Sequence, residues 1–223
     1  MFNIEHPAVT GLTKVTDLII INLLVIALTI PIITAGAAWT AMYYVTIKLV
    51  KNEESYILKD FFKSFKENFL QSTIIWIINI LLIALFVINF LIMGGAAPEN
   101  MTSVSIIIFI ITGAILLAFV TYVYPMQAHY YNTVPRTIKN ALLLAFANLP
   151  YTVLFVIVSV LPFVIALTKY GFYLIPLVFL IGLSGPAYIC SIFWRKIFAR
   201  LDPEVKEESV DAIHEEGFDT TEY

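Results

Sequence analysis

The sequence is poor in the residues that usually reveal a protein's chemistry. Only 13% of its 223 residues are charged, and Cys190 is the single cysteine, so no internal disulfide can form. The three histidines, His6, His129 and His214, lie far apart without another His, Cys or carboxylate at metal-ligand spacing. We therefore predict no metal site and a packing role for Cys190.

Motifs of nucleotide chemistry and nucleophilic catalysis are also missing. The chain contains no GxGxxG or P-loop sequence, and its apolar stretches hold no set of Ser, His and Asp. We expect no enzymatic activity, no cofactor and no nucleic-acid partner, and the chain alone has no means of powering transport with ATP.

Long apolar stretches dominate what is present. The composition is 60% hydrophobic with a mean hydropathy of +0.90. Asp, Glu, Lys and Arg are absent from residues 18–47, 68–98, 100–135, 140–168 and 170–194. Each stretch exceeds the ~20 residues that a helix needs to cross a bilayer. The sequence predicts an all-α, polytopic transmembrane bundle of about five spans, at residues 17–34, 72–93, 104–125, 141–167 and 172–193.

The chain divides into one membrane domain, residues 1–200, and an acidic tail, residues 201–223. Within the domain, the sequence GGAAPEN at residues 94–100 predicts a tight turn between the second and third spans. The tail holds nine acidic residues and only one basic residue, Lys206, which is typical of a disordered, solvated segment.

Basic residues predict the orientation. With five spans and the N-terminus outside, eleven Lys and Arg residues fall on the inner side, and only Lys14 and Lys169 fall outside. This bias predicts a cytoplasmic C-terminus in a plasma membrane. However, PIITAG at residues 31–36 breaks a helix, and residues 37–50 can form another element. If that element crosses, there are six spans and the N-terminus lies inside. We favour an interfacial or re-entrant element, because its fourteen residues cover only about 21 Å.

An amphipathic pattern occurs at residues 58–69, LKDFFKSFKENF. Its apolar residues recur at steps of three and four, while lysines occupy other faces. The pattern predicts a cytoplasmic surface helix that contacts either the lipid boundary or a protein partner. The face consists of Leu58, Phe61, Phe62, Phe65 and Phe69.

Helix breaks are predicted at Pro31 and Gly36 and again at Gly185 and Pro186. Broken helices line binding sites in many transporters. The span interiors contain no ionisable residue for ion coupling, but they contain polar side chains such as Asn22, Asn79 and Asn148. These groups can bond a solute or a neighbouring helix, and we favour bonds between helices and close packing of small residues.

Three segments resemble the YesL family of bacterial integral membrane proteins of unknown function. They are LTIPIITAGAAWTAMYYVTIKLV, DFFKSFKENFLQS and YPMQAHYYNTVPRTIKNALLLAFANLP, and the likeness extends over residues 2–200. Members are commonly encoded near ATP-driven carbohydrate uptake systems and glycan-degrading enzymes. The resemblance implies a non-catalytic accessory or regulatory component whose partners are permease or ATPase subunits of a sugar transporter. The alternative is a self-contained passive permease or small-molecule binding protein.

Overall fold

In the computed structural model, residues 7–53, 56–95, 103–168 and 171–201 are described, and they form helices without strands. This confirms the predicted all-α polytopic bundle. The helices are α1 (Pro7–Thr29), a 3-10 turn (Ile32–Thr34), α2 (Ala35–Lys51), α3 (Ile57–Gly95), α4 (Ser103–His129), α5 (Val134–Ala147), α6 (Leu149–Ala166), α7 (Gly171–Ile181) and α8 (Ser184–Leu201).

Several helices are long and apolar enough to cross a membrane. In the described residues there are four of them, within α1, α3, α4 and α6. The count rises to five if α7 and α8, which meet at an angle of 49°, form one broken span. A multi-pass membrane protein follows from this composition.

Helix α2 is the centre of the bundle and packs against α1, α3, α4 and α8. Its first residues are small and fully buried, which lets neighbouring backbones approach closely. Larger buried side chains such as Met42 and Val45 continue the core toward its C-terminus. The helix ends at Lys51 and is capped by Asn52, which has a left-handed φ of 56°. Lys48 and Lys51 lie in the last turn, where the helix dipole favours positive charge.

Helix α3 is continuous for 39 residues, about 58 Å. It contains no proline, and Asp60 in its first turn complements the helix dipole. The predicted surface helix and second span, residues 72–93, are therefore one helix rather than two. The C-terminal part of α3 pairs with α4, where the rings of Phe86 and Phe109 stack with centroids 4.5 Å apart.

The predicted fourth and fifth spans are each interrupted. Helices α5 and α6 divide at Asn148, just before Pro150, and α7 and α8 divide between Ile181 and Ser184. The predicted first span also ends early, because α1 stops at Thr29. The third span matches α4, although α4 continues to His129. The predicted turn began at Gly94, but Gly94 and Gly95 belong to α3, and the rest of that turn, residues 96–100, lies outside the described residues, as does the tail after residue 201.

The start of α1 and the end of α8 lie at the same end of the molecule. Lys14 Nζ donates a hydrogen bond to Asn52 Oδ1 over 2.7 Å, so α1 begins where α2 ends. Arg195 Nη1 contacts the carbonyl oxygen of Val50 at 3.4 Å. Helix α2 thus returns the chain to the level at which α1 begins, while the side of the membrane on which each terminus lies stays a prediction.

Candidate functional site

The predicted apolar face of residues 58–69 is divided between the interior and the surface. Ile57, Phe61, Ser64 and Asn68 recur at helical spacing and point into the bundle, with Phe61 fully buried. Phe61 is therefore a core residue and unavailable to a partner. Sequence periodicity could not separate it from its neighbours, because the five apolar residues all lie within one arc of about 100° around the helix.

The remaining members form a narrower surface. The side chains of Leu58 and Phe62 are 55% and 40% exposed, whereas Phe65 and Phe69 are half-buried with ring centroids 5.6 Å apart. Exposed cations surround them at Lys59, Lys63 and Lys66. We call Leu58, Phe62 and these three lysines the aromatic-basic surface.

An ion pair attaches the start of α3 to α2. Lys48 Nζ donates a hydrogen bond to Asp60 Oδ2 over 2.8 Å, and both side chains are mostly buried. The hydrogen bond to Asp60 raises the pKa of Lys48. Lys48 therefore stays charged at neutral pH, and its bond to Asp60 holds the aromatic-basic surface in register with the core.

A buried amide network joins α3, α4 and α5 behind the same surface. Gln127 Nε2 donates to Oδ1 of Asn68 at 3.2 Å and to Oε1 of Gln71 at 2.6 Å. Gln127 Oε1 accepts a bond from Thr137 at 3.1 Å. The network was not predicted from the sequence, in which its one signal is Gln127, a polar amide that follows an apolar run. Because each amide is bonded, the network rigidifies the three helices at this end.

A polar cleft of about 230 Å³ opens beside the network. Its walls carry both charges, with Lys48 and Lys51 facing Glu53. At its edge, Tyr131 Oη donates to a carboxylate oxygen of Glu67 at 3.3 Å, and this carboxylate raises the pKa of Tyr131. Lys48 is paired with Asp60, and Lys51 Nζ lies 3.6 Å from a carboxylate oxygen of Glu53. Each lysine of the cleft therefore has an acidic partner, and the cleft lacks the single-sign potential that would attract a small ion.

The break at Pro31 to Gly36 allows the start of α2 to pack closely against α3. A Cβ on Gly36 would lie 2.3 Å from the carbonyl oxygen of Ser72 and 2.7 Å from Cβ of Trp76, so only glycine fits there. One turn later, the hydroxyls of Thr40 and Ser72 are 2.8 Å apart. Pro31 begins the 3-10 turn with extended backbone.

The break between α7 and α8 is closed by Asn22 of α1. Its Nδ2 donates to the carbonyl oxygen of Phe179 at 2.7 Å, and its Oδ1 accepts from the amides of Leu183 and Ser184 at 2.9 and 3.0 Å. The side chain thus replaces the helical hydrogen bonds lost at the break. Gly185 and Pro186 lie in the first turn of α8, where proline is tolerated.

Other polar residues of the spans also bond protein atoms. Asn79 Nδ2 donates to Tyr124 Oη at 2.7 Å, although its Oδ1 has no partner among the described residues. Asn148 Nδ2 donates to the carbonyl oxygen of Leu144 in the last turn of α5. In the described ranges, no group of three or more His, Cys, Asp and Glu side chains is close enough to hold a metal.

The comparison with protein families gives one finding. Residues 18–90 match the model of a family of proteins of unknown function, DUF624. The match covers most of α1, all of α2 and α3 as far as Phe90, which includes the aromatic-basic surface and the break at Gly36. No curated protein and no solved structure matches the chain significantly.

Proposed function

We propose that the protein is a non-catalytic accessory or regulatory component of the bacterial plasma membrane that associates with an ATP-driven carbohydrate uptake system. The observation that carries the association is the aromatic-basic surface. Leu58 and Phe62 are exposed on the surface of the bundle, at the start of a helix that continues without interruption into a span. Aromatic residues are enriched in protein interfaces, whose rim is polar, so the lysines fit the rim of such a contact rather than its centre.

The carbohydrate part of the proposal rests on the resemblance to the YesL family. A partner of that class fits a protein whose membrane interior holds no ion-coupling residue and whose sequence holds no ATP site. Energy for uptake would come from the partner's ATPase subunit.

The orientation that we propose places the aromatic-basic surface in the cytoplasm. Apart from Lys169 and Lys206, which are not described, the Lys and Arg side chains belong to the end that contains Lys14, Asn52 and Arg195. The positive-inside rule assigns such an end to the cytoplasm. Both α1 and α8 then have their polar ends in the cytoplasm.

The test is affinity purification of the tagged protein from crosslinked native membranes, followed by mass spectrometry. We expect a sugar-transporter permease or its ATPase, and we expect it to be lost when Leu58→Ser and Phe62→Ser are combined. The matched control is Leu81→Ser with Leu85→Ser, which changes exposed residues on the apolar part of the same helix. Recovery of the same partners from the Leu58/Phe62 variant would contradict the proposal.

The second candidate, a passive permease or small-molecule binding protein, would use the broken helices. It has less support, because Gly36 packs against Ser72 and Asn22 bonds the backbone of α7 and α8. Binding of a sugar to the purified protein alone, lost in a folded Asn79→Ala variant, would favour it.

A further inference from the structure

We propose that α1, the turn at residues 30–34 and α2 form a re-entrant hairpin, which enters the membrane from the cytoplasmic side and ends in the acyl chains of the inner leaflet. The inference uses the orientation proposed above, but it is independent of the accessory role. It concerns a surface for lipid, and it changes the number of times that the chain crosses the membrane.

The tip of the hairpin is apolar and exposed. Ile30, Ile32 and Ile33 are 79%, 67% and 65% exposed, and no charged residue occurs between positions 18 and 47. Three large aliphatic side chains on one tight turn would be costly in water, since each full burial is worth about 1.5–3 kcal/mol. Acyl chains supply the apolar surroundings that the protein does not.

Backbone carbonyl groups of the tip accept hydrogen bonds from protein groups, so they do not depend on water. The amide of Thr34 donates to the carbonyl oxygen of Pro31 at 2.8 Å. The hydroxyl of Thr34 contacts the carbonyl oxygens of Leu28 and Pro31, and the hydroxyl of Thr73 donates to that of Ile33 at 3.3 Å. Two threonines thus satisfy carbonyl groups that water would otherwise bond, as lipid requires.

The depth of the tip in the membrane can be inferred from its contact with α3. The bond between Thr73 and Ile33 places the tip at the point where α3 changes from charged to apolar sequence. From Thr73 to Gly95, α3 continues for 22 residues, about 33 Å, which matches a whole bilayer core of roughly 30 Å. The tip therefore lies near the cytoplasmic edge of the core rather than at its far side.

The middle of α2 lies beside the charged part of α3. Glu67 bonds Tyr131, and Tyr131 lines the polar cleft with Tyr44 and Lys48 of α2. A helix at the level of these charges is outside the hydrocarbon core. With α1 and α2 outside the count, an even number of crossings by the remaining helices returns the chain to its starting side, as the positions of Lys14 and Arg195 require.

Cysteine labelling tests the hairpin. Single cysteines are introduced into a Cys190→Ala background as Leu12→Cys, Ile32→Cys and Glu99→Cys, and a membrane-impermeant maleimide is applied to right-side-out and inside-out vesicles. We expect Leu12→Cys to react only in inside-out vesicles and Glu99→Cys only in right-side-out vesicles. Ile32→Cys should react in neither.

A nitroxide at Ile32→Cys, attached to detergent-solubilised protein and then reconstituted, supplies a second measurement. It should collide more often with oxygen than with a water-soluble nickel chelate, at a depth in the inner leaflet. Reaction of Ile32→Cys from the outside would overturn the hairpin in favour of a full crossing. Reaction from the inside, or a nitroxide exposed to nickel, would place the tip in water and overturn it equally. Neither measurement depends on a partner.

Discussion

The hydroxyls of Thr40 and Ser72 lie 2.8 Å apart at the closest approach of α2 and α3. This distance is possible because Gly36, one turn earlier, has no side chain between the two backbones. Gly36 permits the close approach of the two helices, and Thr40 and Ser72 form a hydrogen bond across it.

Gly36→Ala should destabilise the protein, whereas Gly185→Ala should not. A Cβ at Gly36 would collide with backbone at 2.3 Å, but at Gly185 the nearest atom, Cβ of Ile181, is 3.9 Å away. We expect a loss of about 1–3 kcal/mol for the first variant, as for other overpacked cores. Thermal unfolding in detergent would measure both. Equal midpoints would show that α2 and α3 separate more easily than their contact indicates.

Asn22→Leu should cost more stability than Asn89→Leu. The first change leaves the carbonyl of Phe179 and the amides of Leu183 and Ser184 without their partner, at about 1–3 kcal/mol for each buried group left unbonded. Asn89 is an exposed residue on the apolar part of α3, so its replacement matches the lipid better. Urea or detergent titration of both variants, followed by fluorescence, gives the comparison. A stable Asn22→Leu protein would mean that the α7–α8 break does not need its cap.

Phe61 and Phe62 are adjacent but have different surroundings, so their alanine variants should separate stability from binding. Phe61→Ala should lose about 3–5 kcal/mol, because it empties a fully buried site. Phe62→Ala should retain the wild-type midpoint, because its ring is 40% exposed. The measurement is thermal unfolding beside partner recovery. If both variants unfold alike, the orientation of this part of α3 is wrong.

The pair of Lys48 and Asp60 should couple weakly but measurably. A double-mutant cycle with Lys48→Met and Asp60→Asn should give about 0.5–1 kcal/mol at neutral pH, near the upper end for partly exposed pairs. Since the folded pKa of Lys48 is raised, this coupling persists below the unfolded lysine pKa and disappears as pH rises through the folded value. A coupling that is unchanged at strongly alkaline pH would assign it to packing instead.

The fold class was predictable because charge-free apolar stretches that are long enough to cross a bilayer are typical of transmembrane helices. Helix ends were harder to predict. The sequence pattern changes near Ser72 from amphipathic to apolar, which indicates a change of surroundings, yet the backbone hydrogen bonds of α3 continue through it. Surroundings and conformation are separate properties, and hydropathy reports only the first.

The return of α2 to the level of Lys14 could not be derived from charge. Lys14 satisfies the positive-inside rule in either position, because one residue changes the balance very little. The decisive information is a contact between residues 38 positions apart, Lys14 and Asn52. The role of Asn22 likewise depends on a partner more than 150 residues away, and local sequence carries no trace of that pairing.

The uninterrupted course of α3 has a mechanical consequence. A single helix of 39 residues joins Phe62 near its start to Phe90 near its end, and the contact of Ser72 with Gly36 and Thr40 lies between them. A displacement at one end would have to bend this helix or shift that contact, because no loop within α3 can absorb the movement.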